Sequence, residues 1–173
     1  MSGQVPEVVV ASRRSGGHWV LYVVLAVVGA LLTFAGARAQ QKLTDDATFH
    51  KLMEDYCAAW SVRSADAPAK FYAQNEGLVF YDVAPFAYHS WKEYHDGVAK
   101  EFLDGSDTVK LTLGKDLKVT RHGLIAWTTA TIHLYEKAKD GKVTDVDMRY
   151  TGIWEKRGAK WVIVHEHLSV PMA

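Results

Sequence analysis

Histidine, arginine and acid side chains crowd one stretch, Met148 to Pro171, which reads MRYTGIWEKRGAKWVIVHEHLSVP. Two apolar, alternating runs flank a charged turn, Lys156-Arg157-Gly158-Ala159-Lys160. The spacing predicts a β-hairpin in which Gly158 takes the positive φ of the turn. Alternate side chains of a strand point to opposite faces. Strict alternation puts Trp161, Ile163, His165, His167 and Ser169 on one face, and Val162, Val164, Glu166, Leu168 and Val170 on the other. In the first run Arg149, Thr151 and Ile153 oppose Tyr150, Gly152 and Trp154. Histidines in line with Trp161 and Ile163 suit a concave sheet that lines a pocket, mostly apolar with a few placed polar groups. His165 is a candidate acid or base, because imidazole titrates near neutrality. Arg149 among apolar neighbours calls for an anion, either Asp82, Glu166 or a ligand carboxylate, unless it sits in an internal salt bridge or at a position open to water.

Other candidates lie upstream. His133, on a neighbouring strand, could join His165 and His167 as pocket histidines. A three-histidine metal site would need further ligands that nothing in the sequence places, so no metal and no cofactor are expected. Asp82 ends an apolar run just before Pro85. Burial would raise its pKa and make it a serviceable base; a turn or cap carboxylate is the plainer alternative. Tyr56 and Trp60 sit one helical turn apart, with Trp91 expected nearby, as core or pocket wall. Cys57, the single cysteine, falls inside a helical apolar pattern and reads as a packed thiol. No nucleophile elbow, phosphate-binding loop or dinucleotide fingerprint is present.

These residues have to be positioned by a small set of elements. Phe49, Leu52, Met53, Tyr56 and Trp60 recur at helical spacing behind Thr44-Asp45-Asp46, which predicts a first helix capped there and ending near Ser64. Asp66-Ala67-Pro68 predicts a second helix, ending before Gly77. Leu78–Val83 reads as a short strand broken at Ala84-Pro85. Ser90 predicts a cap for a third helix, Trp91 to Leu103, with Trp91, Tyr94, Val98 and Phe102 on one side. Four antiparallel strands follow: Thr108–Arg121 with a bulge near Gly114-Lys115-Asp116, Gly123–Ala138, and the two strands of the closing hairpin. Helices followed by a run of strands predict an α+β fold, three helices packed on one face of a curved, mostly antiparallel sheet.

The hairpin pattern R-Y-T-x-I-W-x-x-x-x-x-K-W-V-I-V-H-E-H-x-S-x-P, with Phe80-Tyr81-Asp82-Val83-Ala84-Pro85 and Trp91-Lys92-Glu93-Tyr94 upstream, resembles the SnoaL-like families of the nuclear transport factor 2-like (cystatin-like) superfamily. It is most similar to bacterial relatives of the calcium/calmodulin-dependent protein kinase II association domain. The resemblance covers residues 44–171 and implies a cone whose mouth opens between helix and sheet. It also implies that Asp82 could serve as base, since aspartates and tyrosines in the cone act as base and oxyanion donors in the enzymatic members. The same fold hosts enzymes, binding modules and assembly domains.

Residues 1–39 read as a leader. Arg13-Arg14 precedes an uncharged run from Trp19 to Ala37, and Ala37-Arg38-Ala39 fits a peptidase site, the pattern of a secretory signal peptide. The alternative is an uncleaved anchor through residues 19–37, near the length that spans a bilayer. Cleavage after Ala39 would remove three of 20 basic and one of 20 acidic residues, leaving a net charge of −2, with no basic excess to hold a nucleic acid. The expectation is a periplasmic or secreted SnoaL-like domain at 40–173 that binds a small apolar or carboxylate-bearing molecule or serves in assembly. The alternatives are a cofactor-independent isomerase, cyclase or dehydratase, and a purely structural oligomerisation domain. Tyr56, Trp60, Asp82, Trp91, Arg149, His165 and His167 are expected to converge on one cavity between the first helix and the sheet. A homodimer or larger ring is expected through the convex sheet face, with Leu134, Trp154 and Val164 as contact candidates.

Overall fold

The computed structural model describes residues 17–75, 77–83 and 85–171. The Arg13-Arg14 pair and Ala84, both used above, lie outside the described residues. The chain divides into two compact units, Met1–Lys42 and Leu43–Ala173. In the first, helix α1 (Gly17–Trp60) carries an apolar segment long enough to cross a membrane. Its side chains are exposed, Trp19 at 65% and Phe34 at 61%. An N-terminal apolar helix is therefore present, as a signal or an anchor segment would require.

The second unit is an α+β cone with two α-helices rather than three. The cap expected at Thr44 is not a helix start, because α1 already runs in from Gly17. The helix expected after Asp66 is a single turn of 3-10 helix, Ala67–Phe71. Pro68 opens that turn, but Tyr72 leaves it in an extended conformation and Ala73 N–H donates to Ile163 O at 2.9 Å. Pairing with the sheet edge thus overrides local helix preference. Helix α2 (Trp91–Val98) begins as expected: Ser90 Oγ accepts from Glu93 N–H at 3.1 Å, and Glu93 returns a carboxylate oxygen to His89 N–H, a reciprocal cap. It continues as a π-helical turn, Ala99–Leu103.

The sheet holds β1 (Val79–Tyr81), β2 (Ser106–Leu113), β3 (Lys118–His122), β4 (Ile125–Ala138), β5 (Val143–Arg157) and β6 (Lys160–Ser169). The order is β1-β6-β5-β4-β2, with β3 also on β4, and only β1 runs parallel to its neighbour. The strand expected over Thr108–Arg121 is two strands. At the break Gly114 N–H donates to Thr131 O at 2.8 Å, and Asp116 accepts from Thr131 N–H and Oγ1–H. A Cβ on Gly114 would lie 2.8 Å from Thr131 O, so the close approach requires glycine. The closing hairpin forms as read, with Gly158 at φ 61°. Its ladder slips once: Trp154 pairs with Ile163, but Ile153 pairs with His165, leaving Val164 as the extra residue of a bulge. Beyond the bulge, Glu166 and Leu168 pair with the inward Gly152 and Tyr150, while His165, His167 and Ser169 pair with the outward Ile153, Thr151 and Arg149. The core between α1 and the inner face is built on Phe49, Met53, Ile132, Tyr150, Trp154 and Ile163, all at most 1% exposed.

Candidate functional site

At the centre of the inner face sits Glu166, fully buried. Strand β6 delivers it opposite Gly152, whose missing side chain leaves room for the Tyr150 hydroxyl; a Cβ there would lie 2.3 Å from it. Three phenols from three different segments converge on its carboxylate. Tyr94 of α2 and Tyr72, just past the 3-10 turn, donate to Oε1 at 2.5 and 2.7 Å, and Tyr56 of α1 donates to Oε2 at 3.1 Å. Trp60 Nε1–H donates to the Tyr72 hydroxyl at 3.3 Å. Burial pushes the Glu166 carboxyl up to about 7, against the opposing pull of the Tyr94 and Tyr72 hydrogen bonds. No cation pairs with it among the described residues, so the phenols carry its solvation.

Tyr56, Trp60 and Tyr94 also form the aromatic floor of a cavity of about 1040 Å³. Its walls are apolar, with Val98 and Phe102 from the α2 side and Leu134, Val146, Met148 and Leu168 from the sheet. Asp82 stands in its lining just after β1. Burial raises the Asp82 carboxyl to about 6, although Val83 N–H donates to it at 2.7 Å. Tyr88, 5% exposed, lines the same cavity, and its hydroxyl has no hydrogen-bond partner among the described residues. Cys57 is buried, and burial pushes its thiol up to about 12, so it is a packed thiol and not a thiolate.

Three of the seven residues expected to converge do so: Tyr56, Trp60 and Asp82 line the cavity. Trp91 stands behind it, stacked on the Tyr72 ring at 4.6 Å. Arg149 is exposed on the outer sheet face and donates to Val170 O at 3.2 Å. His165 faces outward too, with Nδ1 2.7 Å from Val79 O, and its ring meets Tyr81 edge-on at 5.4 Å. His167 meets Tyr81 at 5.8 Å and lines an adjoining hollow of about 420 Å³, which shares Asp82, Val83, Leu168 and Val170 with the cavity. His133 lies outward between Asp145 and Asp147, at 3.1 and 2.9 Å. Leu134 and Trp154, expected at a convex interface, are core residues at 9% and 0% exposure. Strict alternation put His165 and His167 on the face of Ile163, and the bulge at Val164 reverses that face for them; Arg149, Leu134 and Trp154 lie on strands whose alternation is unbroken, and there the concave side itself was misjudged. Glu166 was missed as a site residue because of that bulge, whereas Tyr72, Tyr88 and Tyr94 lie off β6, on segments that reach the site through long-range packing with no local pattern to announce it. The available signal was Gly152, since an isolated glycine inside a strand marks a bulge or a close approach.

Residues 50–173 match the SnoaL-like domain family. The chain belongs to that family. No curated protein matches it. Among solved structures it is similar to a Xanthomonas campestris protein provisionally assigned as a calcium/calmodulin dependent protein kinase II association domain, at 23% identity over 72% of this chain and 86% of that one, TM-score 0.62. A nuclear transport factor 2-like superfamily protein from Salmonella enterica shares 17% identity over 75% and 93% of the two chains, TM-score 0.65. A provisionally assigned scytalone dehydratase from Novosphingobium aromaticivorans shares 10% identity over 78% and 89%, TM-score 0.68. At these identities the SnoaL-like domain shares with them the nuclear transport factor 2-like fold.

Proposed function

We propose that the SnoaL-like domain binds a small, largely apolar molecule in the cavity above Tyr56, Trp60 and Tyr94, as part of an exported, homo-oligomeric protein. The observation that carries this is the cavity: about 1040 Å³ lined mainly by apolar side chains, with few polar groups converging on it. Ligand pockets have this size and composition. The case for a carboxylate on the ligand rested on Arg149 and the two hairpin histidines, which lie on the other face of the sheet. The neutral fluorophore N-phenyl-1-naphthylamine should bind saturably and brighten. Leu134→Trp, which fills the cavity from β4, should weaken that binding by about tenfold or more. Absence of saturable binding to the wild-type chain would remove the ligand-binding function.

Asp82 supports a second reading, a cofactor-independent isomerase, cyclase or dehydratase. A carboxyl held at about 6 is ionised at neutral pH yet basic enough to accept a proton in a desolvated site. His165 is not available as its partner, because it faces away from the cavity. For any substrate turned over, kcat/KM should rise with pH through about 6 and fall by about 100-fold or more in Asp82→Asn. A pH-independent rate would exclude Asp82 as base.

A further inference from the structure

The charges around the cavity are of one sign. Its lining includes Asp82, Glu101, Glu136 and Asp147, and no lysine, arginine or histidine among the described residues. Two of these acids already have basic neighbours outside the cavity: Glu101 pairs with Lys100 at 3.1 Å and Asp147 contacts His133 at 2.9 Å. The other two do not. Among the described residues Asp82 accepts from the Val83 backbone alone, and Glu136 from Ser106 Oγ–H at 2.7 Å. Neither has an ion-pair partner among the described residues. The same lining holds the rings of Tyr56, Trp60, Tyr88, Tyr94 and Phe102, and aromatic faces attract a cation by their quadrupoles. The buried Tyr88 hydroxyl, unpartnered and in the same lining, is an independent sign of a missing polar group, since a buried hydroxyl left without a hydrogen bond is costly.

We propose that the cavity selects an organic cation: a compact apolar molecule bearing an ammonium group, held by the Asp82 and Glu136 carboxylates, the Tyr88 hydroxyl and the surrounding rings. An anion would meet two uncompensated carboxylates in a low-dielectric space, where like charges repel more strongly than in water. A neutral molecule would fill the volume but leave both carboxylates unpaired. The ammonium supplies what the lining lacks, a charge for the acids and an N–H donor for the Tyr88 oxygen. This rests on the cavity being the ligand site.

The test compares three ligands of one shape, 1-adamantylamine, 1-adamantanol and 1-adamantanecarboxylate, by titration calorimetry on the full-length chain. At a pH of about 7.5 the amine is cationic and the acid anionic. The amine should bind about tenfold more tightly than the alcohol, and the carboxylate most weakly. In Asp82→Asn combined with Glu136→Gln, the amine-to-alcohol ratio should fall to about threefold or less, with near-ultraviolet circular dichroism verifying the fold. An alcohol or carboxylate that binds as tightly as the amine overturns the cation preference and leaves the cavity as a ligand site. An amine preference that survives the double substitution in a folded protein overturns it as well. If none of the three binds saturably, both the preference and the ligand site fall.

Discussion

Glu166 places a carboxyl where no solvent reaches, and among the described residues no cation answers it. Among the described residues its partners are three phenols, and its carboxyl moves from 4.5 up to about 7. A carboxyl whose pKa is raised by folding binds a proton in the folded chain that the unfolded chain has already released. Stability is then greatest below the unfolded pKa and falls as pH rises through the folded one. The window here runs from about 4.5 to about 7, and the loss across it amounts to about 3 kcal/mol. Asp82 acts in the same direction between 3.8 and about 6, so the wild-type curve alone does not isolate Glu166. Glu166→Gln does, because glutamine keeps one acceptor oxygen and takes no charge. Urea denaturation at acid and mildly alkaline pH should show the variant gaining on wild type as pH rises, by up to about 3 kcal/mol. A constant difference between the two proteins would mean that Glu166 does not titrate across this window. Glu166→Leu should follow the same pH trend from a much lower stability, costing about 3 kcal/mol or more at acid pH, since it strands three buried hydroxyls.

One extra residue decides which side chains reach the site. Val164 opposes no residue of its own on β5, and it separates the part of β6 where Ile163 faces the core from the part where Glu166 and Leu168 do. Deleting Val164 would make the ladder regular and leave Glu166, His165 and His167 on their present faces. That variant should fold, with a loss of about 1–3 kcal/mol from the altered strand bend. Deleting Thr151 from the regular part of β5 should abolish folding, because a one-residue shift sends every later side chain to the opposite face. Circular dichroism and soluble yield distinguish the two; equal damage from both deletions would refute the assignment of Val164 as the bulge. The same geometry sets what the sequence could reveal. Tyr56 and Trp60 were legible because a helix keeps its 3.6-residue period, and the cap at Ser90 because capping is local chemistry. The hairpin was legible from its turn. His165 and His167 were placed on the wrong face because a period of two has no memory across a bulge, and Arg149, on the unbroken alternation of β5, was grouped with them without a register to set it. The second helix failed at Tyr72, where a long-range pairing with Ile163 took over from local propensity.

The leader and the copy number belong to the scale of the whole molecule. The first buried side chain of the second unit is Asp45, paired with Arg121 at 2.9 Å, followed by Phe49. Residues 40–44 are exposed. A peptidase acting after Ala39 would therefore remove no core side chain from the unit that begins at Leu43. Stability within that unit comes from packing below Asp45 and not from the helical continuation above it. Residues 40–173 produced alone should then unfold within about 2 °C of the domain transition in the full chain. In the native host, N-terminal sequencing should read Gln40 as the first residue. Recovery of an intact chain from the membrane fraction would assign residues 19–37 as an anchor instead. The same 40–173 protein tests the copy number, since light scattering does not then count detergent around an apolar helix. Ile125 and Trp127, both 41% exposed on the outward side of β4, are the apolar residues on which a second copy would close, in place of the buried Leu134 and Trp154. A dimer that dissociates in Trp127→Glu is the expected result. A monomer at micromolar concentration would leave the outer face to solvent, and with it the histidines that the bulge turned away from the cavity.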